Sequence, residues 1–237
     1  MTEKSVSMTG PTPRVRVGLL VPSSNTVMEV DLYRNLPPNV TVHAARMYLE
    51  ETTRQAEIDM IERFAPLAVE LLCTAKPHFM VFGCTSAGSL GGADYDKEIC
   101  DRLSKIAGVP IVGVYSSVRE VLLKSRAESV AVITPYIEDI NISIRKGLER
   151  DGLHVAAIHG MGINVNFNLA IPTPEEILDF SLEKLKGVKA DILFISCTNF
   201  RAMEAVPSLK KELGIPVITS NTASIDAVLD RVSRISL

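Results

Sequence analysis

The sequence lacks the charge excess that nucleic-acid-binding surfaces need. Its 25 Lys and Arg residues face 28 Asp and Glu residues, which leaves a formal net charge of -3. These charges are spread along the chain and form no basic stripe for a phosphate backbone and no polybasic patch for an anionic membrane. We therefore expect neither nucleic acid nor a membrane as a partner.

Long apolar runs are missing as well. No run reaches the roughly 18 residues that a bilayer-spanning helix requires. The N-terminal stretch "MTEKSVSMTGPTP" is polar, contains Gly and Pro, and has no apolar segment of the kind found in a secretory signal. We expect residues 1–13 to form a flexible tail and the protein to be cytoplasmic.

Cysteine is scarce, and the spacings typical of metal and nucleotide sites are absent. The four cysteines include no CxxC pair and no His/Cys pair at zinc-ligand spacing. The glycines of "GSLGGAD" match neither a P-loop nor a GxGxxG motif after a strand. The sequence thus predicts no metal and no cofactor, and cytoplasmic cysteines are expected as thiols.

What the chain does contain is an alternation of apolar runs with segments of helical periodicity. The runs are rich in Val, Ile, Leu and Phe and read as strands over 15–22, 77–84, 111–115, 129–135, 192–197 and 216–221. Nearly continuous apolar strands separated by helices are typical of parallel sheets covered on both faces. The predicted fold class is α/β.

The two halves of the chain repeat each other. Cys84 follows Pro22 by 62 residues, and Cys197 follows Pro135 by the same 62 residues. The segment "AKPHFMVFGCTS" aligns with "VKADILFISCTN". A duplicated unit predicts two similar Rossmann-like lobes related by a pseudo-twofold axis, with a site in the cleft at the carboxyl ends of their strands.

Two of the four cysteines stand at the ends of predicted strands. Cys84 and Cys197 each precede a polar turn, whereas Cys73 and Cys100 lie in helical segments and are expected to be inert buried side chains. Backbone N–H groups exposed in such turns bind carboxylates and favour thiolates. The candidate turn residues are Thr85, Ser86, Thr198 and Asn199.

Further polar candidates follow other strands. Asn25, in "VPSSNT", is a good helix cap but also stands where a side chain would reach a ligand. Tyr136 holds the matching place in the second half, directly after Pro135. The segment "GMGINVNFN" has three asparagines, among them Asn166.

These motifs make the chain resemble the aspartate/glutamate racemase superfamily, and within it the maleate cis-trans isomerases. The resemblance rests on "GLLVPSSNTVMEVDL", "VFGCTSAG", "VAVITPYIEDIN", "GMGINVNFNLAIPTPEEI" and "ISCTNFRAMEAV". The arylmalonate decarboxylases are also similar, but they have a glycine in place of the first cysteine, and Cys84 is present here.

The resemblance implies a role for each candidate residue. Cys84 would be the nucleophile and Cys197 its acid/base partner, while Asn25, Tyr136 and Asn166 would hold the substrate carboxylates. The superfamily uses no cofactor and often forms dimers. Because its C-terminal helix returns to the first lobe, residues 14–116 with 218–237 are expected to form lobe one and residues 117–217 lobe two.

The implied activity is the isomerisation of maleate, or a close cis-enedioate, to fumarate. The first alternative is a racemase, in which one cysteine removes a proton beside a carboxylate or hydantoin carbonyl and the other returns it on the opposite face. The second is a ligand-binding or redox-sensing protein whose two thiols form a reversible disulfide.

Overall fold

The computed structural model describes residues 14–235, which contain two four-stranded parallel sheets of the same design. The first sheet has the order β2-β1-β3-β4 and the second the order β6-β5-β7-β8. We call the parts of the molecule built on these sheets the first and second lobes. The strands are β1 (Val15–Pro22), β2 (Val40–Met47), β3 (Phe79–Phe82), β4 (Ile111–Gly113), β5 (Ser129–Tyr136), β6 (His154–Ile163), β7 (Ile192–Ile195) and β8 (Val217–Thr219).

Ten α-helices connect and cover the strands in the described part of the chain. They are α1 (Met28–Asn35), α2 (Arg54–Asp59), α3 (Ala65–Cys73), α4 (Thr85–Ser89), α5 (Ala93–Ala107), α6 (Val114–Ser125), α7 (Glu138–Arg150), α8 (Pro174–Lys184), α9 (Ala202–Leu213) and α10 (Ser220–Ser233). A π-helical turn (Met60–Phe64) joins α2 to α3, and a 3₁₀ turn (Asn166–Ala170) follows β6. Within residues 14–235, no helix combines the length and apolar character that crossing a membrane requires.

The α/β class and the two Rossmann-like parallel-sheet lobes are confirmed. Corresponding strands occupy the same positions in the two sheets, as the repeat predicts. The central strands are buried almost throughout: Arg16 is the one residue of β1, and Ser129 the one residue of β5, that is not fully buried. Covering both sheet faces explains why these strands read as continuous apolar runs. The predicted tail over residues 1–13 lies outside the described residues.

The sequence did not predict the edge strands β2 and β6. Both lie at one end of their sheets, and β2 pairs with β1 from Val15↔Val40 to Pro22↔Met47. Each edge strand mixes buried residues with partly or fully exposed ones, so neither shows a continuous apolar run. Four strands, β3, β4, β7 and β8, are also shorter than predicted; β4 and β8 end early because α6 begins directly after Gly113 and α10 directly after Thr219.

Helices α6 and α10 join the two lobes. Although α10 follows a strand of the second sheet, it packs against α6 and also contacts α1 in the first lobe. The predicted boundary between residues 116 and 117 falls inside α6. The division into residues 14–116 with 218–237 and residues 117–217 stays a prediction.

Candidate active site

Cys84 lies where β3 leaves the first sheet. It is the N-cap residue of α4 and has an extended backbone, with φ -136° and ψ 110°. Its sulfur lies 3.6 Å from Ser86 Oγ. The strand end therefore places this thiol at the carboxyl edge of the sheet, next to the N–H groups of a short helix.

Cys197 occupies the corresponding position after β7 but has a different backbone. Its φ of 102° lies in the left-handed region, where a residue other than glycine costs of order 1–3 kcal/mol. The Cys197 N–H donates to Ser220 Oγ at 3.1 Å, and the Asn199 N–H donates to the Cys197 sulfur at 3.2 Å. These contacts hold the cysteine in a conformation that it would not adopt by itself.

The two thiols and Tyr136 share one buried site. The Tyr136 hydroxyl, at the end of β5, donates a hydrogen bond to the Cys197 sulfur and lowers the pKa of that thiol. A charge on Cys197 raises the pKa of Cys84, and charges on both cysteines raise the pKa of Tyr136. The duplicated Cys-Thr motifs thus converge from the two lobes.

Hydroxyl and amide side chains connect the lobes around the thiols. Asn25 Nδ2 donates to Thr198 Oγ1 at 3.0 Å, and Thr198 Oγ1 donates to the Gly83 carbonyl at 3.0 Å. Thr85 Oγ1 donates to Ser220 Oγ at 2.8 Å. Each Cys-Thr turn is therefore held by a partner from the opposite half of the chain.

The Asn25 side chain accepts hydrogen bonds at the start of α1, although Val27 is the N-cap residue of that helix. Its Oδ1 accepts hydrogen bonds from the N–H groups of Val27 and Met28, both at 3.0 Å. Because the oxygen is occupied in this way, only the Nδ2 group of Asn25 faces the site. The capping interpretation of "VPSSNT" is correct, and ligand binding by Asn25 would use its N–H group.

Asn166 closes the other side of the site. Its Nδ2 donates to Ser24 Oγ at 2.7 Å, its Oδ1 accepts from Thr52 Oγ1 at 3.2 Å, and its carbonyl accepts from Asn199 Nδ2 at 2.7 Å. The adjacent backbone forms an antiparallel bridge between Glu51 and Val165. Segments that follow β2 and β6 thus meet beside the thiols.

All nine predicted site residues come together in a closed region between the lobes. None is more than 4% exposed: Cys84, Cys197, Asn25, Tyr136, Asn166, Thr85, Ser86, Thr198 and Asn199. Cys73 and Cys100 lie within α3 and α5 as predicted, but only Cys100 is buried, and Cys73 is partly exposed. What each of the nine does for a ligand stays a prediction.

Burial dominates the acid–base behaviour of both thiols. Removal from water raises the pKa of Cys84 well above its usual range, and it raises that of Cys197 to about 12. The Ala87 and Asn199 N–H groups lower these pKa values, as the turns predicted, but the loss of solvation is larger. The turn amides therefore act in the expected direction, toward the thiolate, but burial outweighs them.

The sequence analysis did not select Glu57, which the structure places beside the thiols. This residue of α2 is fully buried, and its charge raises the pKa of Cys84, of Cys197 and of Tyr136. The available signal was helical spacing, because the buried Met60 and Ile61 follow three and four residues later on the same helix face. An acidic residue in that register points into the protein.

Comparison with known proteins identifies the family. The sequence pattern of the arylmalonate decarboxylase family matches residues 17–235. The chain belongs to the arylmalonate decarboxylase family. Membership covers both Cys-Thr turns and every predicted site residue, and it agrees with the resemblance seen in the sequence motifs.

Relatives of this arylmalonate decarboxylase family member include maleate isomerases. The maleate isomerase of Geobacillus stearothermophilus is 22% identical over 228 residues, which cover 90% of each chain. The prediction of an isomerase is confirmed at the level of enzyme class by such relatives.

Two solved structures share the fold of this family member. A cysteine-to-alanine variant of the maleate isomerase Iso from Pseudomonas putida S16, with maleate, superposes with a TM-score of 0.85, at 21% identity and 92% coverage of each chain. A cysteine-to-serine variant of the Nocardia farcinica maleate cis-trans isomerase, with a covalently bound succinylcysteine intermediate, gives 0.84 at 21% identity and 92% coverage.

Proposed function

We propose that this protein converts maleate, or a close cis-enedioate, into the trans isomer fumarate without a cofactor. The observation that carries the proposal is the convergence of two buried thiols, Cys84 and Cys197, whose turns are joined by hydrogen bonds between the two lobes. Around them lie uncharged donors suited to a small dicarboxylate.

The chemistry requires temporary loss of a carbon–carbon double bond, because only a single bond rotates freely. Once the Cys84 thiol has lost its proton to solvent, before the substrate fills the site, its thiolate adds to one alkene carbon, and the electron pair of the double bond moves to the neighbouring carbon. The Cys197 thiol protonates that carbon, giving a succinyl adduct with a rotatable bond. After rotation, the Cys197 thiolate takes the proton back and the carbon–sulfur bond breaks, which releases the trans product and the Cys84 thiolate.

The surrounding donors suit the charge of the substrate. Two carboxylates lose strong hydration on entering a buried site and need several hydrogen bonds in return. We assign this role to the side chains of Asn25, Tyr136 and Asn166, together with turn amides of Thr85, Ser86, Thr198 and Asn199. In this structure the Asn199 N–H donates a hydrogen bond to the Cys197 sulfur. This N–H group therefore also stabilises the second thiol.

Known relatives support the proposed isomerisation by thiolate addition. One neighbour of the same fold carries a covalent succinylcysteine, which is the adduct that thiolate addition to maleate would form. Another was solved with maleate. The presence of Cys84, where the resembling decarboxylases have glycine, favours isomerisation over decarboxylation in this chain.

The test is conversion of maleate by the purified protein, followed by proton NMR, with a Cys84→Ala/Cys197→Ala double variant as the control. We expect fumarate from the parent and none from the variant. Unchanged maleate, combined with deuterium uptake at the stereocentre of a recovered amino acid or hydantoin in D₂O, would replace the isomerase by a racemase. Dicarboxylate binding without turnover, unchanged in a double Ser variant, would indicate a ligand-binding protein instead.

A further inference from the structure

Glu57 is a buried carboxyl group without a hydrogen-bonding partner. It lies on α2, which packs against α4, the helix that Cys84 caps. Its exposed fraction is 0%, and neither carboxyl oxygen has a hydrogen-bond partner in the described part of the chain. A carboxylate in this position would forfeit its solvation without compensation, which is costly.

The groups that face Glu57 do not neutralise a negative charge. On the site side they are the thiols of Cys84 and Cys197 and the hydroxyl of Tyr136. Helix α4 itself has no titratable side chain. Burial raises the pKa of Glu57, and Ser86 on α4 opposes that rise without a hydrogen bond to either carboxyl oxygen in this structure.

The charged residues on the neighbouring helical turns do not pair with Glu57. Arg54, on the first turn of α2, is exposed and lowers the pKa of Glu57 only as the smallest of its influences. Arg63 stacks over the Phe64 ring, and Glu62 is paired with Arg102 on the surface. No cation among the described residues pairs with Glu57.

Burial therefore decides the charge of Glu57. Desolvation raises its pKa to about 8, so the group is mainly a neutral acid at pH 7. The proposed reaction strengthens this preference, because a thiolate and a dicarboxylate already place three negative charges in the site. A fourth negative charge, on Glu57, would repel both the Cys84 thiolate and the bound dicarboxylate.

We propose that Glu57 is a further residue of the cysteine site, where it acts as a neutral carboxylic acid that donates through Ser86 toward the Cys84 sulfur. When Cys84 ionises, the Glu57 O–H turns to donate to Ser86 Oγ, a hydrogen bond that is not formed in this structure, and the Ser86 hydroxyl donates to the Cys84 thiolate. The Ser86 oxygen already lies 3.6 Å from that sulfur. Glu57 is thus a positioning residue for the nucleophile, and its link to turnover rests on the proposed function.

Loss of the Glu57 proton reverses the direction of these two hydrogen bonds. An ionised Glu57 accepts from Ser86, Ser86 then accepts from the Cys84 thiol, and the thiol form is favoured. The sign of the pH effect follows: the thiolate fraction of Cys84 rises with pH while Glu57 is neutral, and it levels off once Glu57 ionises. A Glu57→Gln variant keeps a neutral donor at every pH and should not level off.

The charge of Glu57 is measured first, without substrate. Infrared spectra of the parent at pH 7 should show the C=O stretch of an un-ionised carboxylic acid, which disappears as the pH rises through about 8. Labelling glutamate with ¹³C at the side-chain carboxyl should shift this band and so separate it from the buried Asp31 and Asp96. Absence of a shifted band would overturn the proposal, and this measurement needs no variant.

The effect on Cys84 is measured by its alkylation with iodoacetamide, followed by peptide mass spectrometry. Glu57→Gln and the parent should react within about twofold of each other at pH 6.5. At pH 9 the variant should react about tenfold faster, since one pH unit above the pKa of Glu57 leaves about one molecule in ten with a neutral Glu57. The matched control Glu62→Gln, which changes an exposed residue on the next turn, should follow the parent.

A rate ratio between Glu57→Gln and the parent that stays constant from pH 6.5 to pH 9 would overturn the proposal. Failure of the proposed function is separately visible, because both measurements use protein without substrate. A protein that shows the neutral Glu57 but leaves maleate unchanged would refute the isomerase and keep this inference.

Discussion

The two Cys-Thr turns begin with the same sequence but place their cysteines in different surroundings. Cys84 has an ordinary extended backbone, a long contact to Ser86 and a buried carboxyl group nearby. Cys197 has a left-handed backbone, and its sulfur accepts from a tyrosine hydroxyl and a backbone N–H. The repeated motif thus contains two equivalent thiols in sequence, but these thiols differ in backbone conformation and in hydrogen bonding.

The difference suits two chemical roles. A sulfur held by two neutral donors is well placed to exchange a proton repeatedly without moving, which fits the acid/base assignment of Cys197. A sulfur with weaker contacts is freer to form and break a carbon–sulfur bond, which fits Cys84 as the nucleophile. The predictions that follow test this asymmetry.

The largest expected effect separates the two cysteines by the adduct they leave. Cys84→Ser should lower turnover of maleate by about 10⁴-fold or more and form no covalent adduct. Cys197→Ser should lower turnover by about 10²- to 10³-fold but still form an adduct at Cys84, detected by intact-protein mass spectrometry. Adducts at Cys197 in the Cys84→Ser protein would reverse the two roles.

A smaller effect is expected from Tyr136→Phe. Loss of the hydroxyl removes a donor to the Cys197 sulfur, so the pKa of that thiol rises further above its present value of about 12. We expect roughly a 10- to 100-fold loss in turnover, since one hydrogen bond to a charged group is worth about 1.5–3 kcal/mol. Alkylation of Cys197 should slow in parallel, while alkylation of Cys84 changes less. Equal slowing at both cysteines would contradict the assignment.

Ser220 provides the next test, because it serves both turns at once. Its Oγ accepts from the Cys197 N–H and from Thr85 Oγ1. Ser220→Ala leaves a buried N–H unpaired and should cost about 1–3 kcal/mol in the free energy of unfolding, measured with urea. Ser224→Ala, four residues later on the same helix, removes a hydroxyl that bonds only the Ser220 carbonyl and should cost less.

The smallest effect concerns the backbone. Because Cys197 has φ 102°, Cys197→Gly should be more stable than Cys197→Ala by about 1 kcal/mol. At Cys84, whose φ is -136°, the order should reverse, with glycine less stable than alanine. Thermal unfolding of the four variants measures both differences, and the same order at both positions would show that the left-handed conformation stores no strain.

Much of this architecture was accessible from sequence because central strands and repeats leave strong signals. Strands β1 and β5 are buried on both faces and therefore appear as apolar runs, and the equal spacing from Pro22 to Cys84 and from Pro135 to Cys197 marks equivalent strand ends. Position at the carboxyl edge of a parallel sheet then brings the cysteines together.

The remainder depends on contacts between distant segments. Glu57 follows no strand and belongs to no motif, so its place beside the thiols depends on how α2 packs against α4. The pKa of Cys84 likewise depends on how the two lobes pack. A turn in isolation would remain solvated, so burial would not oppose the effect of its backbone N–H groups. The expected dimer remains a proposal, to be tested by sedimentation.

The hydrogen bonds across the site join residues far apart in the chain: Thr52 to Asn166 over 114 residues, Thr85 to Ser220 over 135, and Asn25 to Thr198 over 173. During synthesis, this arrangement cannot be completed until the helix that begins at Ser220 has left the ribosome. Either half expressed alone would contain one of the two thiols but not the complete two-thiol site. Assembly of this site is among the last events of folding.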